Sequence, residues 1–425
     1  MHGNIDINID EISKTEGHTG LEIKVRDGKV EEVKLKVSEN KRFFTQGVRG
    51  KMYYEIPTFI ARICGTCSIA HLLACIEAVE KAFGIEVSEQ TKIMRKLSMF
   101  GLMIRDHAMH LYFLSLPDIL KKDSIFEIGE ENPELIKQAF EVKAAGNLLC
   151  KVIAGRAIHP NFATIGGFLR IPKKEEVKEL IQKLKNVREY VLNLIEIFGN
   201  SDLSFKKETI YVALCTPHYN FLEGEIRSSE GITVQEENFW DFVNRIVIPY
   251  SQSTAFKFTG KPYRVGALAR LNLNKNELDE DTKKDTAKYL NRFPSHNIFD
   301  NNLAQAIEIL HCLDSSIKIL ENFEFKEERP IEFKPKESEG IGVVEAPRGT
   351  LYHMYYFDEE GKVKFGNFVI PTAQNQIQME LDIKDLVEQN LDKDKHTLQH
   401  MIESLIRAYD PCFSCASHFL KIKWI

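Results

Sequence analysis

The sequence has no excess of basic charge, no long uninterrupted apolar run and few cysteines for its length. Its 425 residues carry 56 lysines and arginines against 62 aspartates and glutamates, a net charge of −6. That balance supplies no basic field for nucleic acid or an anionic membrane. The longest apolar stretch, Leu97 to Leu120, is interrupted by Arg105, Asp106 and His107. A lone spanning helix does not tolerate three such residues without partners, so no direct membrane span is expected. Phosphate-binding glycine loops are missing too. Gly340-Ile341-Gly342 lacks the third glycine of a dinucleotide fingerprint, and Gly50-Lys51 and Gly260-Lys261 lack the Ser/Thr and spacing of a P-loop. A nicotinamide or flavin site on this chain is therefore not expected. The stretch Met1 to His18 is acidic and polar, without the basic and apolar regions of a secretory signal. A cytoplasmic location is expected, with any membrane association made through partners. Eight cysteines in a chain of this size do not make a disulfide framework.

What is present is a globular mixture, 43% hydrophobic and 28% charged. Leu21 to Val37 alternates apolar and charged residues around Asp27-Gly28, the pattern of a hairpin with one buried face. Thr350 to Ile370 repeats it around Glu360-Gly361. Between them Leu72 to Phe83, Ile93 to Leu120, Pro133 to Ile153 and Lys174 to Phe198 carry apolar residues at three- and four-residue steps, which predicts helices. Asn274 to Tyr289 reads as a polar surface excursion, and Phe325 to Gly340 as a proline-bearing connection. The expected fold is α+β, mainly α: a long helical-bundle core with small antiparallel sheets near the N- and C-terminal parts. We expect one domain over 1–425, with a hairpin at 19–38, a helical core at about 57–325, and a hairpin and cysteine motif at about 341–418.

The cysteines hold the sharpest signal. Four are isolated, namely Cys75, Cys150, Cys215 and Cys312, and each is most simply a small buried apolar residue. The others form two Cys-x-x-Cys pairs, Cys64/Cys67 and Cys412/Cys415. A helix starting near Cys67 would put His71 one turn on, and Pro411 can open a helix that carries Cys412, Cys415 and His418 along one side. Two such turns together make a sulfur cage for a soft or borderline metal. Structural zinc and an iron–sulfur cluster use the same spacing. A zinc ribbon, however, separates its pairs by about 15–20 residues, whereas here most of the chain lies between them.

The residues around the pairs resemble a known family. Arg62-Ile63-Cys64-Gly65-Thr66-Cys67 with His71, and Asp410-Pro411-Cys412 with Cys415 and His418, are similar to the paired metal motifs of the nickel–iron hydrogenase large subunit. Glu16-Gly17-His18, Gly155-Arg156-Ala157-Ile158-His159-Pro160 and Ala346-Pro347-Arg348-Gly349 match further strings of that family in the expected order. The resemblance spans Glu16 to His418. It implies a catalytic subunit that cleaves H2 reversibly into protons and electrons at a Ni–Fe centre, with carbon monoxide and cyanide on the iron. By position, Cys64 and Cys412 would be terminal nickel ligands, and Cys67 and Cys415 would bridge. Glu16 matches the proton-transfer glutamate. Arg348 matches an arginine above the open metal position, paired there with Asp106 and Asp410. Pro347 and Thr372 lie where the family contacts the cyanides. His71 is expected to bond a ligand sulfur, and His159 to serve packing or hydrogen bonding.

The resemblance also implies a partner, an iron–sulfur small subunit, and further electron-transfer subunits. Two features depart from the family. Thr45 stands where a glutamate usually helps His418 bind Mg2+ or Fe2+, and a threonine is a poor ligand for a hard dication; Glu55 is a nearby substitute in the sequence. Only seven residues follow His418, which fits a mature end or a member without C-terminal processing. Other readings are an H2-sensing regulatory hydrogenase and a complex I-related electron-transfer subunit. The four retained cysteines argue against the latter.

Overall fold

The alternation between Leu21 and Val37 makes a hairpin because one face is apolar and Asp27-Gly28 accepts the turn. Strand β2 (Thr19–Arg26) pairs antiparallel with β3 (Lys29–Val37), and β1 (Ile5–Ile9) adds to the other edge of β2. Asp27 and Gly28 both have positive φ, 48° and 74°, as a tight two-residue hairpin turn requires. Leu21, Ile23, Val25, Val30, Leu35 and Val37 are buried. The structure, a computed structural model, describes residues 4–39 and 42–417.

The predicted helices form close to their expected bounds. They are α1 (Ser68–Phe83), α2 (Glu89–Ala108), α3 (Pro133–Ala154) and α4 (Lys174–Gly199). Ser88 caps α2 by accepting from the Thr91 N–H, and Asn132 caps α3 by accepting from the Leu135 N–H, ahead of Pro133 in the first turn. The helix expected to run straight to Leu120 does not. After Ala108 it widens into a π-helical segment, Met109–Ser115, before a last α-turn at Leu116–Leu120. Arg105, Asp106 and His107 are buried against partners of this same chain, and among the described residues no helix is long and apolar enough to cross a membrane.

The helical reading of 57–325 needs correction between 200 and 265. That stretch holds β4 (Ile210–Cys215), β5 (Glu225–Ser228), β6 (Val243–Val247) and β7 (Thr254–Phe258). Every residue of β4 is buried, so it shows a continuous apolar run rather than an alternation. Such a run does not distinguish a buried strand from a helix. Asn274 to Tyr289 is also more than an excursion. It follows α5 (Ala267–Asn274) and contains most of α6 (Glu280–Leu290), which buries Thr282, Thr286 and Tyr289. The long helix α7 (Asp300–Asn322) then crosses the core, with most of its side chains buried.

At the C-terminal part the predicted hairpin is two strands of a three-stranded antiparallel sheet, β8 (Ser338–Ala346), β9 (Gly349–Phe357) and β10 (Val363–Val369). Strand β8 lies directly on α1. A Cβ on Gly342 would come within 2.1 Å of the Ala74 carbonyl oxygen, so only glycine allows this approach. The glycine pair that failed as a nucleotide fingerprint is a packing device. Two helices follow, α8 (Pro371–Gln389) and α9 (Lys395–Ala408), and they deliver the chain to the second cysteine pair.

Candidate metal centre

Both cysteine pairs sit at helix starts. Cys67 is the residue before α1, and Cys412 precedes a single turn, Phe413–Ala416, that carries Cys415. The guanidinium of Arg105, on α2, donates to the carbonyls of Thr66 and Ala157 and ties the first cysteine turn to the Gly155–Pro160 segment. His159 tightens the same junction: its N–H donates to Ser68 Oγ at 3.0 Å, and its Nδ1 lies 3.0 Å from the Ala61 carbonyl. The N-terminal segment is laid on the second pair. The Phe413 N–H donates to the Glu16 carbonyl at 2.9 Å, and a Cβ on Gly17, whose φ is +82°, would strike the Ser414 nitrogen at 2.7 Å.

These contacts bring the four sulfurs to one point. Cys64 Sγ is 3.5 Å from Cys412 Sγ, Cys67 Sγ is 3.1 Å from Cys415 Sγ, and all four lie within 4.8 Å of one another. Each cysteine is at most 3% exposed. Four buried soft donors facing a common centre fit a soft or borderline metal group, and nickel with iron is such a group. Sulfur donors converging on Cys64 hold its thiol well below the ordinary thiol range, first from Cys412, whereas burial pushes Cys412 and Cys415 well above it.

Glu16 reaches in from the side. Its Oε2 accepts from Cys412 Sγ at 3.0 Å and from the Ser414 N–H at 3.2 Å. Burial, then the charge of Cys64, raises its carboxyl above the usual carboxylate range. Near enough to the sulfurs for the charges of Cys412 and Cys67 to act on it, Arg348 bridges two carboxylates. It donates to Asp106 through one terminal nitrogen and to Asp410 Oδ1 through the other at 2.9 Å, while its Nε donates to the Asp410 carbonyl at 3.1 Å. All three residues are buried. Thr372 Oγ1 accepts from the Cys412 N–H at 2.8 Å, which leaves its hydroxyl hydrogen to donate elsewhere. Pro347 is in the turn that presents Arg348.

The remaining predicted residues are placed less simply. His71 Nδ1 lies 3.1 Å from Nε2 of buried His353, a partner the spacing did not suggest. His418 lies outside the described residues. Glu55 is exposed and accepts from the Met52 N–H at 2.8 Å. Two buried residues, Arg270 and Glu308, escaped the sequence reading altogether. Arg270 donates to Glu308, to Glu345, and to the carbonyls of Ala346 and Pro347, so it holds the turn that carries Arg348 from behind. Glu308 also bonds His107, next to Asp106. No local motif marks these residues, because their partners are brought in from distant parts of the chain.

The fold and the four-thiol site define a metalloprotein whose centre joins the two ends of one chain. The family model described as nickel-dependent hydrogenase matches residues 44–137 and 215–418. The chain is 33% identical to sulfhydrogenase 2 subunit alpha of Pyrococcus furiosus, over 98% of this chain and 100% of that protein. It is 27% identical to NAD-reducing hydrogenase HoxS subunit beta of Cupriavidus necator, over 97% of this chain and 94% of that one. Its fold superposes on an NAD+-reducing [NiFe]-hydrogenase in the H2-reduced state with a TM-score of 0.87 and 25% identity, covering 97% of this chain and 99% of the other. The chain belongs to the nickel-dependent hydrogenase family, as the large, catalytic subunit of a nickel–iron enzyme acting on H2.

Proposed function

We propose that this chain cleaves dihydrogen heterolytically at a nickel–iron centre held by Cys64, Cys67, Cys412 and Cys415, and passes the electrons to an iron–sulfur partner subunit. The convergence of four thiols near one charge-paired guanidinium carries this reading. When bound, the metal pair polarises dihydrogen and takes up its electrons. Cys64 and Cys412 would hold nickel alone and Cys67 and Cys415 would be shared with iron, which would carry carbon monoxide and cyanide. The Cys412 sulfur accepts the proton and Glu16, 3.0 Å away, takes it onward. Arg348 places a fixed positive charge near the sulfurs, and Asp106 and Asp410 keep it from swinging out. The Thr372 hydroxyl, whose hydrogen is left free by its bond from the Cys412 N–H, would donate to a cyanide nitrogen, and Pro347 would lie beside it. A magnesium or ferrous ion at His418 belongs to the same reading, and Thr45 removes one of its usual ligands.

Two electrons per dihydrogen need an exit. The sequence has no third cysteine group for an iron–sulfur relay, so the relay belongs on a second polypeptide. The relatives are named as subunits alpha and beta, which supports an assembly of several chains. A cytoplasmic enzyme fits this picture. Elemental analysis with infrared spectroscopy tests the reading. Nickel and iron together with stretches of bound carbon monoxide and cyanide are expected, and zinc alone would overturn it.

A further inference from the structure

Asp410 is held from two sides. Arg348 takes its Oδ1, and the side-chain nitrogen of Gln305, on α7, donates to its Oδ2 at 2.8 Å. The carboxylate sets the orientation of that amide, because only the NH2 end can face it. The carbonyl end of Gln305 therefore points away, and it lies 2.6 Å from Nδ1 of His110. An amide oxygen only accepts, so Nδ1 carries a proton. The other ring nitrogen, Nε2, lies 2.8 Å from the backbone carbonyl of Arg407, which also only accepts. Nε2 must donate as well. Ser115 Oγ is near the same nitrogen, at a longer 3.1 Å. A neutral ring would press a lone pair against one of two carbonyl oxygens at hydrogen-bonding distance, inside a site where His110, Gln305 and Asp410 are each 2% exposed or less.

From this geometry we propose that His110 is an imidazolium, protonated on both ring nitrogens, and that through Gln305 it is a positioning residue for Asp410. Its charge balances the site: Asp106 and Asp410 are then offset by Arg348 and His110, with Nε2 3.9 Å from Asp410 Oδ1. The neighbouring Arg407 is already matched by Asp118 and Glu403. Local structure explains how the ring gets there. His110 lies in the π-helical segment Met109–Ser115, whose i to i+5 spacing brings Ser115 against its ring. An α-helix would turn the two residues to different faces. The backbone at Asp410 has φ of +51°, a conformation that needs holding in an aspartate.

The positioning role rests on the function proposed above, whereas the protonation state does not. The first test is nitrogen NMR of the full chain labelled in its histidine rings. At pH 7 the signals that vanish in His110→Asn should show both nitrogens in the imidazolium range. One protonated and one bare nitrogen would overturn the proposal. Should that variant not fold, Ser115→Ala touches the same ring and identifies its signals by shifting them. The second test is made on the metal-loaded complex. His110→Asn should lower turnover about tenfold to a hundredfold at an unchanged KM for H2, as expected for loss of one charged hydrogen bond behind the site, and should shift the iron-bound carbon monoxide stretch. Wild-type turnover with an unmoved stretch would remove the positioning role. Absence of any such stretch in the unsubstituted enzyme would instead sink the nickel–iron reading and leave the NMR result standing.

Discussion

Glu16 accepts at one oxygen from a cysteine sulfur and from a backbone amide. Glutamine keeps an acceptor there but cannot carry a proton. Glu16→Gln should therefore retain the metals and lower hydrogen–deuterium exchange about a hundredfold or more, measured by mass spectrometry of the gas. An undiminished exchange rate would take Glu16 out of the proton path. Arg348 makes a different demand. Its flat fork contacts two carboxylates and a carbonyl at once, and an ammonium has no such fork. Arg348→Lys should keep nickel and iron at wild-type content while turnover drops about a hundredfold. Full activity in that variant would contradict the role given to the guanidinium.

At the level of elements, α7 supports the centre from behind the residues that face it. Gln305 and Glu308, three residues apart on one face, hold Asp410 and the His107–Arg270 hub. One turn further, His311 accepts from the Asp279 N–H and donates to the Tyr219 carbonyl. Burial pushes its imidazole down to about 4. Its proton affinity is lower folded than unfolded, so its stabilising contribution is complete above the ordinary histidine value. It is lost as pH falls from about 6.5 through about 4, by about 3 kcal/mol in total. His311→Gln preserves a donor and an acceptor without a titrating ring. Thermal unfolding at pH 7.5 and at 4.5 should show a smaller acid loss in the variant than in the parent, and equal losses would show that His311 does not carry this sensitivity.

For the whole molecule, the centre cannot exist in either half of the chain. The amino-terminal quarter brings Glu16, Cys64, Cys67 and Asp106, and the carboxyl-terminal part brings Arg348, Asp410, Cys412 and Cys415. The electrons leave through another chain on the function proposed here. Purification from the native source should recover an iron–sulfur protein in equal amounts. A lone chain that reduces a one-electron dye with H2 at full rate would refute this.

Much of this was legible in the sequence because it is local. Hairpin alternation, three- and four-residue apolar steps and Cys-x-x-Cys spacing are all short-range patterns, and they located the outer sheets, the long helices and the sulfur ligands. The buried strand Ile210–Cys215 was not legible, since a fully buried strand loses its alternation. The switch to a π-helical segment after Ala108 was equally hidden, because the apolar pattern continues through it. Residue types and spacing named the four thiols, and the resemblance to a known family named the acid beside them and the arginine of the Ala346–Gly349 turn. Only the tertiary structure decided what stands behind them. A buried arginine, glutamine or histidine takes its meaning from donors and acceptors hundreds of residues away, as His110 does from Gln305 and the Arg407 carbonyl. Hydrogen-bond complementarity of that kind is a property of positions in space, and no linear spacing encodes it.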